Sequence, residues 1–282
     1  MRFEKWQALG NDYLILERDE LAFELTPARV RRLCEGHFGV FADGVLELSR
    51  PKDPASVADL RIFNPDGTEA ELSGNGAREA IMYLRRRWTD RDEFSIHTAA
   101  GEIRPTITSA NTCTVDMGRV RLQSDDYPGG DADGIGELEA DGRTWRFQHA
   151  QVGNPQCAIR VGDLEELAAL DLPAIGPALE HHAAFPNRTN VSWWAPLAGD
   201  RVRARIFERG VGETAASGTG ATGAAVAHVL AGGDSPVVVV LDGGELTVEV
   251  EEDLHINLSG WAVPVFAGVL APELIEELHA TE

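Results

Sequence analysis

R-I-F-N-P-D-G-T-E-A-E-L-S-G-N-G-A-R-E-A, residues 61–80, reads as a strand, a turn and the start of a helix, and the chain writes it twice. Shifted by 144 positions it lies without a gap on R-I-F-E-R-G-V-G-E-T-A-A-S-G-T-G-A-T-G-A, residues 205–224, with nine of the twenty positions identical. Ser73 falls on Ser217, and Asn64 on Glu208. The match extends outward: at a shift of 143 Gly10-Asn11 falls on Gly153-Asn154, and at 144 His37 and Phe41 fall on His181 and Phe185. A self-match near half the chain length is the mark of a duplicated unit. The expected fold is therefore α/β (α+β): two pseudosymmetric domains, each a mostly antiparallel, barrel-like sheet around a central helix that starts at S-G-x-G. Residues 1–117 would form the first half, completed by a C-terminal strand over 263–282, and residues 118–262 the second. A pseudo-twofold would face the two serine corners across a cleft, where ligand sites commonly form.

Strand patterns run through both halves. R-F-E-K-W-Q (2–7), D-Y-L-I-L-E (12–17), A-D-L-R-I-F (58–63), C-T-V-D-M (113–117), W-R-F-Q-H (145–149), V-V-V-V-L (237–241) and L-T-V-E-V (246–250) alternate or are β-branched. Thr26-Pro27 caps and opens a helix through Gly36, and the runs from Ala77 and Ala221 are apolar enough to be buried helices. Leu172–His182 is a weaker helix, interrupted by Pro177, and Asp125–Gly136 is a loop.

Composition narrows the function. The 282 residues carry a net charge of −21 and are 43% hydrophobic. So acidic a surface repels phosphate backbones, which argues against nucleic acid as a partner. The chain has two lysines, Lys5 in a strand and Lys52 in a Pro/Asp-rich loop, and neither suits a pyridoxal Schiff base, so no cofactor is expected. Cys34, Cys113 and Cys157 have no metal-site spacing, and no metal is expected. Few cysteines, a charged start and no long apolar run lead to the expectation of a cytoplasmic protein without a membrane partner.

A helix N-terminus offers unpaired N–H groups and partial positive charge, and glycines there allow close backbone approach. Ser73 and Ser217 can be plain helix caps. Two matched corners also suit a shared anion such as a substrate carboxylate. G-T-G-A-T-G (218–223) fits a dinucleotide-binding pattern, but the first copy lacks the third glycine and no ribose-binding acid follows. Asn11, Asn64, Asn154 and Asn190 flank apolar strands with amides that both donate and accept, although an Asn there can equally be a turn residue. Glu208 could pair with an ammonium group and Arg209 with a carboxylate.

Together L-G-N-D-Y (9–13), H-F-G-V-F-A-D-G (37–44), F-N-P-D-G-T-E (63–69), S-G-N-G-A-R (73–78), V-G-N-P-Q-C (152–157), F-P-N-R-T-N-V (185–191), E-R-G-V-G-E-T (208–214) and S-G-T-G-A (217–221) resemble the diaminopimelate epimerase family over nearly the whole chain. These are cofactor-independent amino-acid epimerases of lysine biosynthesis. The resemblance implies two-base α-proton transfer on diaminopimelate with the catalytic positions at 73 and 217. It implies substrate binding by Asn11, Asn64, Asn154, Asn190, Glu208 and Arg209, and a carboxylate cradle from the backbones of Gly74-Asn75 and Gly218-Thr219. It also implies a homodimer. Where the family pattern has two cysteines this chain has Ser73 and Ser217, its usual histidine after G-N-P is Gln156, and its usual glycine before A-D-G is Phe41. Three readings follow: an epimerase acting through the serine pair, a related isomerase using Glu208 as a carboxylate base, and a silent amino-acid binding protein.

Overall fold

The computed structural model describes residues 1–281 as two units, Met1–Val115 with the residues from Gly260 onward, and Asp116–Ser259. The first unit contains β1 (Arg2–Ala8), β2 (Asn11–Glu17), α1 (Pro27–Cys34), β3 (Val45–Ser49), β4 (Ala58–Phe63), β5 (Glu69–Ala70), α2 (Gly74–Arg87), β6 (Ile96–Thr98), β7 (Gly101–Ile103), β8 (Pro105–Ile107) and the start of β9 (Thr112–Arg119). The second holds β10 (Ile135–Ala140), β11 (Arg143–Val152), β12 (Asn154–Arg160), α3 (Leu164–Ala169), α4 (Leu172–Glu180), β13 (Asn190–Pro196), β14 (Arg201–Glu208), β15 (Gly212–Thr214), α5 (Gly218–Leu230), β16 (Val237–Leu241), β17 (Gly244–Val250) and most of β18 (His255–Trp261). The chain ends in the first unit with β19 (Val263–Val269) and α6 (Pro272–Ala280).

The sheet of the first unit runs β19-β1-β2-β3-β4-β6-β7, with β5 beside β4. The second runs β10-β11-β12-β13-β14-β16-β17-β18, with β15 beside β14. From β1 and β11 onward the pairings match in kind: antiparallel, parallel, antiparallel, parallel, antiparallel. The two parallel pairs of each unit are joined through helices, as a parallel crossover requires. The fold class read from the repeat is the one observed.

The repeated residues build the corner. Arg61 donates two hydrogen bonds to Glu69 across the β4–β5 hairpin, at 2.9 and 2.8 Å, and Arg205 donates two to Glu213 across β14–β15, at 2.9 and 2.7 Å. Ile62, Phe63, Ile206 and Phe207 are buried at the ends of those strands that lead into the hairpins. Each hairpin delivers the chain to an N-cap serine in extended backbone, and each serine Oγ accepts from the N–H three residues on. The glycines are sites of close approach. A Cβ on Gly220 would stand 2.7 Å from Ile206 Cδ1, and one on Gly223 2.9 Å from Gln156 Cβ. Small residues thus let α5 lie against β11–β14, β16 and β17. Helix α2 is buried from Asn75 to Leu84, including Arg78 and Glu79.

Two expectations need correction. Pro177 lies inside α4 without interrupting it. Its missing N–H leaves out one bond in the helix interior, to the Pro173 carbonyl, and burial of Leu172, Ile175 and Leu179 offsets that loss. The segment 263–282 is not one strand, since α6 follows β19. Pro272 sits in its first turn, Leu278 is fully buried, and Arg32 of α1 donates twice to Glu277, at 2.7 and 2.9 Å. The loop from Asp125 ends as β10 begins at Ile135. Among the described residues, no helix is long and apolar enough to cross a membrane.

Candidate active site

In the first unit, β2 and α2 bring four of the expected site residues together. Ser73 caps α2, with its Oγ accepting from Gly76 N–H at 3.1 Å and from the Tyr13 phenol at 3.2 Å. Gly74 and Asn75 follow as the first helical residues, in a first turn that holds no acidic side chain. Asn75 Nδ2 donates to Asn11 Oδ1 at 3.3 Å, and Asn11 Nδ2 donates to Asp43 Oδ2 at 2.8 Å. Behind them the buried Arg78 guanidinium donates to Asn75 Oδ1. The amide orientations are thereby set from both ends of the chain. Burial also pushes the Asp12 carboxyl up, against the pull of Lys5 at 3.2 Å. The Lys5 ammonium donates to the Phe41 carbonyl at 2.5 Å and lies over the Phe41 ring, so it is not an open amine.

Asn64 belongs to a separate small network. Its amide donates to Thr68 Oγ1 at 3.0 Å, and Thr68 donates in turn to Asp66 Oδ1 at 2.6 Å. Gly67 closes this turn onto Asn64 O at 2.9 Å with φ of 87°, a conformation suited to glycine.

In the second unit the cap serine has a different partner. Ser217 Oγ accepts from Gly220 N–H at 3.2 Å and donates to Glu208 Oε2 at 3.0 Å. Thr214 donates to the other oxygen, Oε1, at 2.8 Å. Burial pushes the Glu208 carboxyl up, and the Thr214 and Ser217 hydroxyls pull it partly back. A carboxylate so placed is a stronger proton acceptor than one in water. The turn after Glu208 is pinned twice: Asn190 Oδ1 accepts from Arg209 N–H at 2.8 Å, and Glu180 Oε1 from Gly210 N–H at 2.8 Å.

Asn190 is thus engaged by backbone at its carbonyl, and its amide leans on Pro155 O at 3.4 Å. Arg209 donates to Asn187 O at 3.0 Å. Asn154 Oδ1 accepts from Gln156 Nε2 at 2.5 Å, while Gln156 Oε1 is buried without a hydrogen-bond partner. Gly218 and Thr219 open α5 directly after Ser217. Sequence reasoning missed Tyr13, Asp43 and Thr214. Each lies inside a motif already singled out, but nothing local marks which polar neighbour its side chain meets. Among the described residues no group of three or more His, Cys, Asp or Glu is placed to hold a metal ion.

Each corner can therefore do two things. It can hold an anion on its helix N-terminal N–H groups, and it can present a hydroxyl whose proton has a defined direction.

Comparison with known proteins identifies the family. A family model described as diaminopimelate epimerase matches residues 3–123 and 149–263. Diaminopimelate epimerase 2 of Nostoc sp. is 38% identical, covering 97% of both chains. Diaminopimelate epimerase 1 of the same organism is 40% identical over 96% of this chain and 99% of its own. The diaminopimelate epimerase of Magnetococcus marinus is 40% identical over 95% and 96%. Among solved structures, a Bacillus anthracis phenazine biosynthesis protein of the PhzF family superposes with a TM-score of 0.70 at 18% identity, covering 96% of this chain and 99% of its own. A probable proline racemase from Agrobacterium radiobacter gives 0.68 at 14% identity, covering 97% and 95%. At those identities the structures speak for the fold alone.

Proposed function

Since the chain belongs to the diaminopimelate epimerase family, we propose that it is a cofactor-independent amino-acid epimerase acting on diaminopimelate through Ser73 and Ser217. The observation that carries this reading is the hydrogen bond from Ser217 Oγ to Glu208. An unaided hydroxyl is a poor base: an alcohol near the ~15.7 of water lies about seven units above a thiol at ~8.5, or roughly 10 kcal/mol. A carboxylate that takes the serine proton as the serine takes the α-proton removes the need for a free alkoxide. Glu208 is then the final acceptor and Ser217 the relay.

Around this step, the N–H groups of Gly74-Asn75 and Gly218-Thr219 would hold the α-carboxylate and favour its carbanion form. Asn11, Asn64, Asn154 and Asn190 would orient the polar ends of the substrate, with Arg209 on a carboxylate. Asn11 and Asn75 are already aligned by the Arg78–Asn75–Asn11–Asp43 chain.

The test is incubation with LL- or meso-diaminopimelate in ²H₂O, following α-deuterium by NMR. Incorporation at the α-carbon is the expected result. Tight binding with no incorporation would replace the enzyme by a binding protein. Absence of both would sink the substrate assignment. Family membership also supports a cytoplasmic homodimer, which light scattering tests by a mass near twice that of one chain.

A further inference from the structure

The two serines differ in what their hydroxyls have left to offer. A hydroxyl has one proton to give and two lone pairs to fill. At Ser73 both lone-pair directions are met by donors, Gly76 N–H at 3.1 Å and the Tyr13 phenol at 3.2 Å. Its own proton is what remains, so Ser73 is set to donate. At Ser217 the proton is directed to Glu208 at 3.0 Å, and Gly220 N–H fills one lone pair at 3.2 Å. One lone pair remains, so Ser217 is set to accept.

The residues that make this difference occupy repeat-related positions. Glu208 lies at the place of Asn64, whose amide turns to Thr68. Tyr13 lies at the place of Gln156, whose amide turns to Asn154. Each unit thus equips its serine from a different strand: the first from β2 with a phenol, the second from β14 with a carboxylate.

Resting on the epimerase reading above, we infer that Tyr13 is the positioning residue of an acid corner: it holds Ser73 as the proton donor to the α-carbon and resupplies its proton, in a reaction whose base is supplied by Ser217 and Glu208. The step balances. The Cα–H bond breaks and its electron pair stays on carbon. The proton goes to Ser217 Oγ as the Ser217 proton moves to Glu208. Ser73 Oγ–H breaks as its proton bonds to the other face of carbon, and the Tyr13 proton moves to Ser73 Oγ. Glu208 ends protonated and Tyr13 ends as phenolate, a tautomer of the starting state. Bulk water carries the proton back, and the reverse reaction starts from that tautomer. A phenol near ~10 is a far better final proton source than an alcohol, which is the physical reason for a tyrosine behind the serine.

Tyr13→Phe removes one oxygen and keeps the ring. In ²H₂O, the α-epimer whose proton is taken at Ser217 should keep its rate of deuterium exchange within about 2-fold, while its inversion falls by at least ~10-fold, a fraction of what general acids contribute. The opposite epimer should lose exchange and inversion together. Equal loss of exchange and inversion from both epimers, or no change, overturns the assignment. No exchange by the unsubstituted protein would instead sink the epimerase reading.

A second measurement is independent of turnover. In a Ser73→Cys protein, the pH dependence of alkylation at position 73 by iodoacetamide reports the thiol. Burial pushes the native Cys34 and Cys113 up to about 12 and Cys157 well above its usual range, so their reaction does not interfere. Adding Tyr13→Phe should move that profile up by about one pH unit, through loss of a hydrogen bond to the thiolate. In Ser217→Cys the same addition should move nothing. An unmoved profile at position 73 overturns the contact on which the inference stands.

Discussion

The two serine corners share a frame and differ in equipment. The residues common to both copies are those that build the hairpin, cap the helix and let it lie on its sheet: Arg61 and Arg205, Glu69 and Glu213, Ser73 and Ser217, Gly76 and Gly220. The residues that differ decide what each hydroxyl does: Asn64 against Glu208, and Tyr13 against Gln156. A duplicated unit can keep its scaffold unchanged while the two copies give the same serine different hydrogen-bond partners. The identities therefore report construction, and the chemistry lies in the departures from them.

The largest effect should come from removing what sets the second corner apart. Glu208→Gln keeps the size of the side chain and an acceptor for Thr214, but takes away the basic oxygen. α-Proton exchange, followed by NMR in ²H₂O, should fall by about 10³-fold, in the range for loss of a general base. A change under 10-fold would mean that Ser217 works without its carboxylate, and the contrast between the corners would lose its meaning.

The scaffolds can be compared through their glycines. In Gly220→Ala the new Cβ meets three atoms of the buried Ile206, at 2.7, 2.8 and 3.2 Å. A β-branched side chain held in a sheet has little room to turn, so overpacking should cost about 2 kcal/mol in urea unfolding. In Gly76→Ala the nearest atom is the end methyl of Leu46, at 3.1 Å, which can shift, and the cost should stay below ~1 kcal/mol. Equal costs would show that the two helix contacts are the same after all.

The last contrast concerns the helices one turn further on, where α2 has Glu79 and α5 has Gly223. Glu79 is fully buried, and burial pushes its carboxyl well above the usual range despite Arg78 and a backbone hydrogen bond from Tyr13. A carboxyl raised in the folded state contributes its full stability below the unfolded pKa of ~4.3. Above that pH the unfolded chain releases the proton first, and stability is lost as pH rises toward the folded pKa, by at most ~1.4 kcal/mol per pH unit. Glu79→Gln should remove this slope, so its stability relative to the parent should improve between pH 5 and 8. A constant difference across that range would mean that Glu79 stays ionised in the fold.

Much of the architecture was legible because it rests on local periodicity and on the repeat. A-D-L-R-I-F and V-V-V-V-L are β4 and β16 residue for residue, and both central helices start where S-G-x-G places them. Helix α6 was hidden because the β-branched run of β19 precedes it without a turn signal, although Pro272 and the spacing of Leu274, Ile275 and Leu278 carry a helical pattern. Pro177 misled because a local rule was outweighed by the packing of α4. At the corners, the positions of the serines followed from the motif. The partners did not, because Tyr13 is 60 residues from Ser73 and meets it only through the arrangement of β2 beside α2.

The lysine count has a practical side. Lys5 is 8% exposed, with its nitrogen committed to Phe41 and Asp12, which leaves Lys52 as the one open side-chain amine. Lys52 lies in the loop between β3 and β4, away in sequence from both S-G-x-G corners. Reagents that attack lysine amines, whether fluorophores or activated resin, therefore have a single side-chain address on this protein. A dye or surface attached there would leave every hydroxyl and amide of the candidate site chemically untouched.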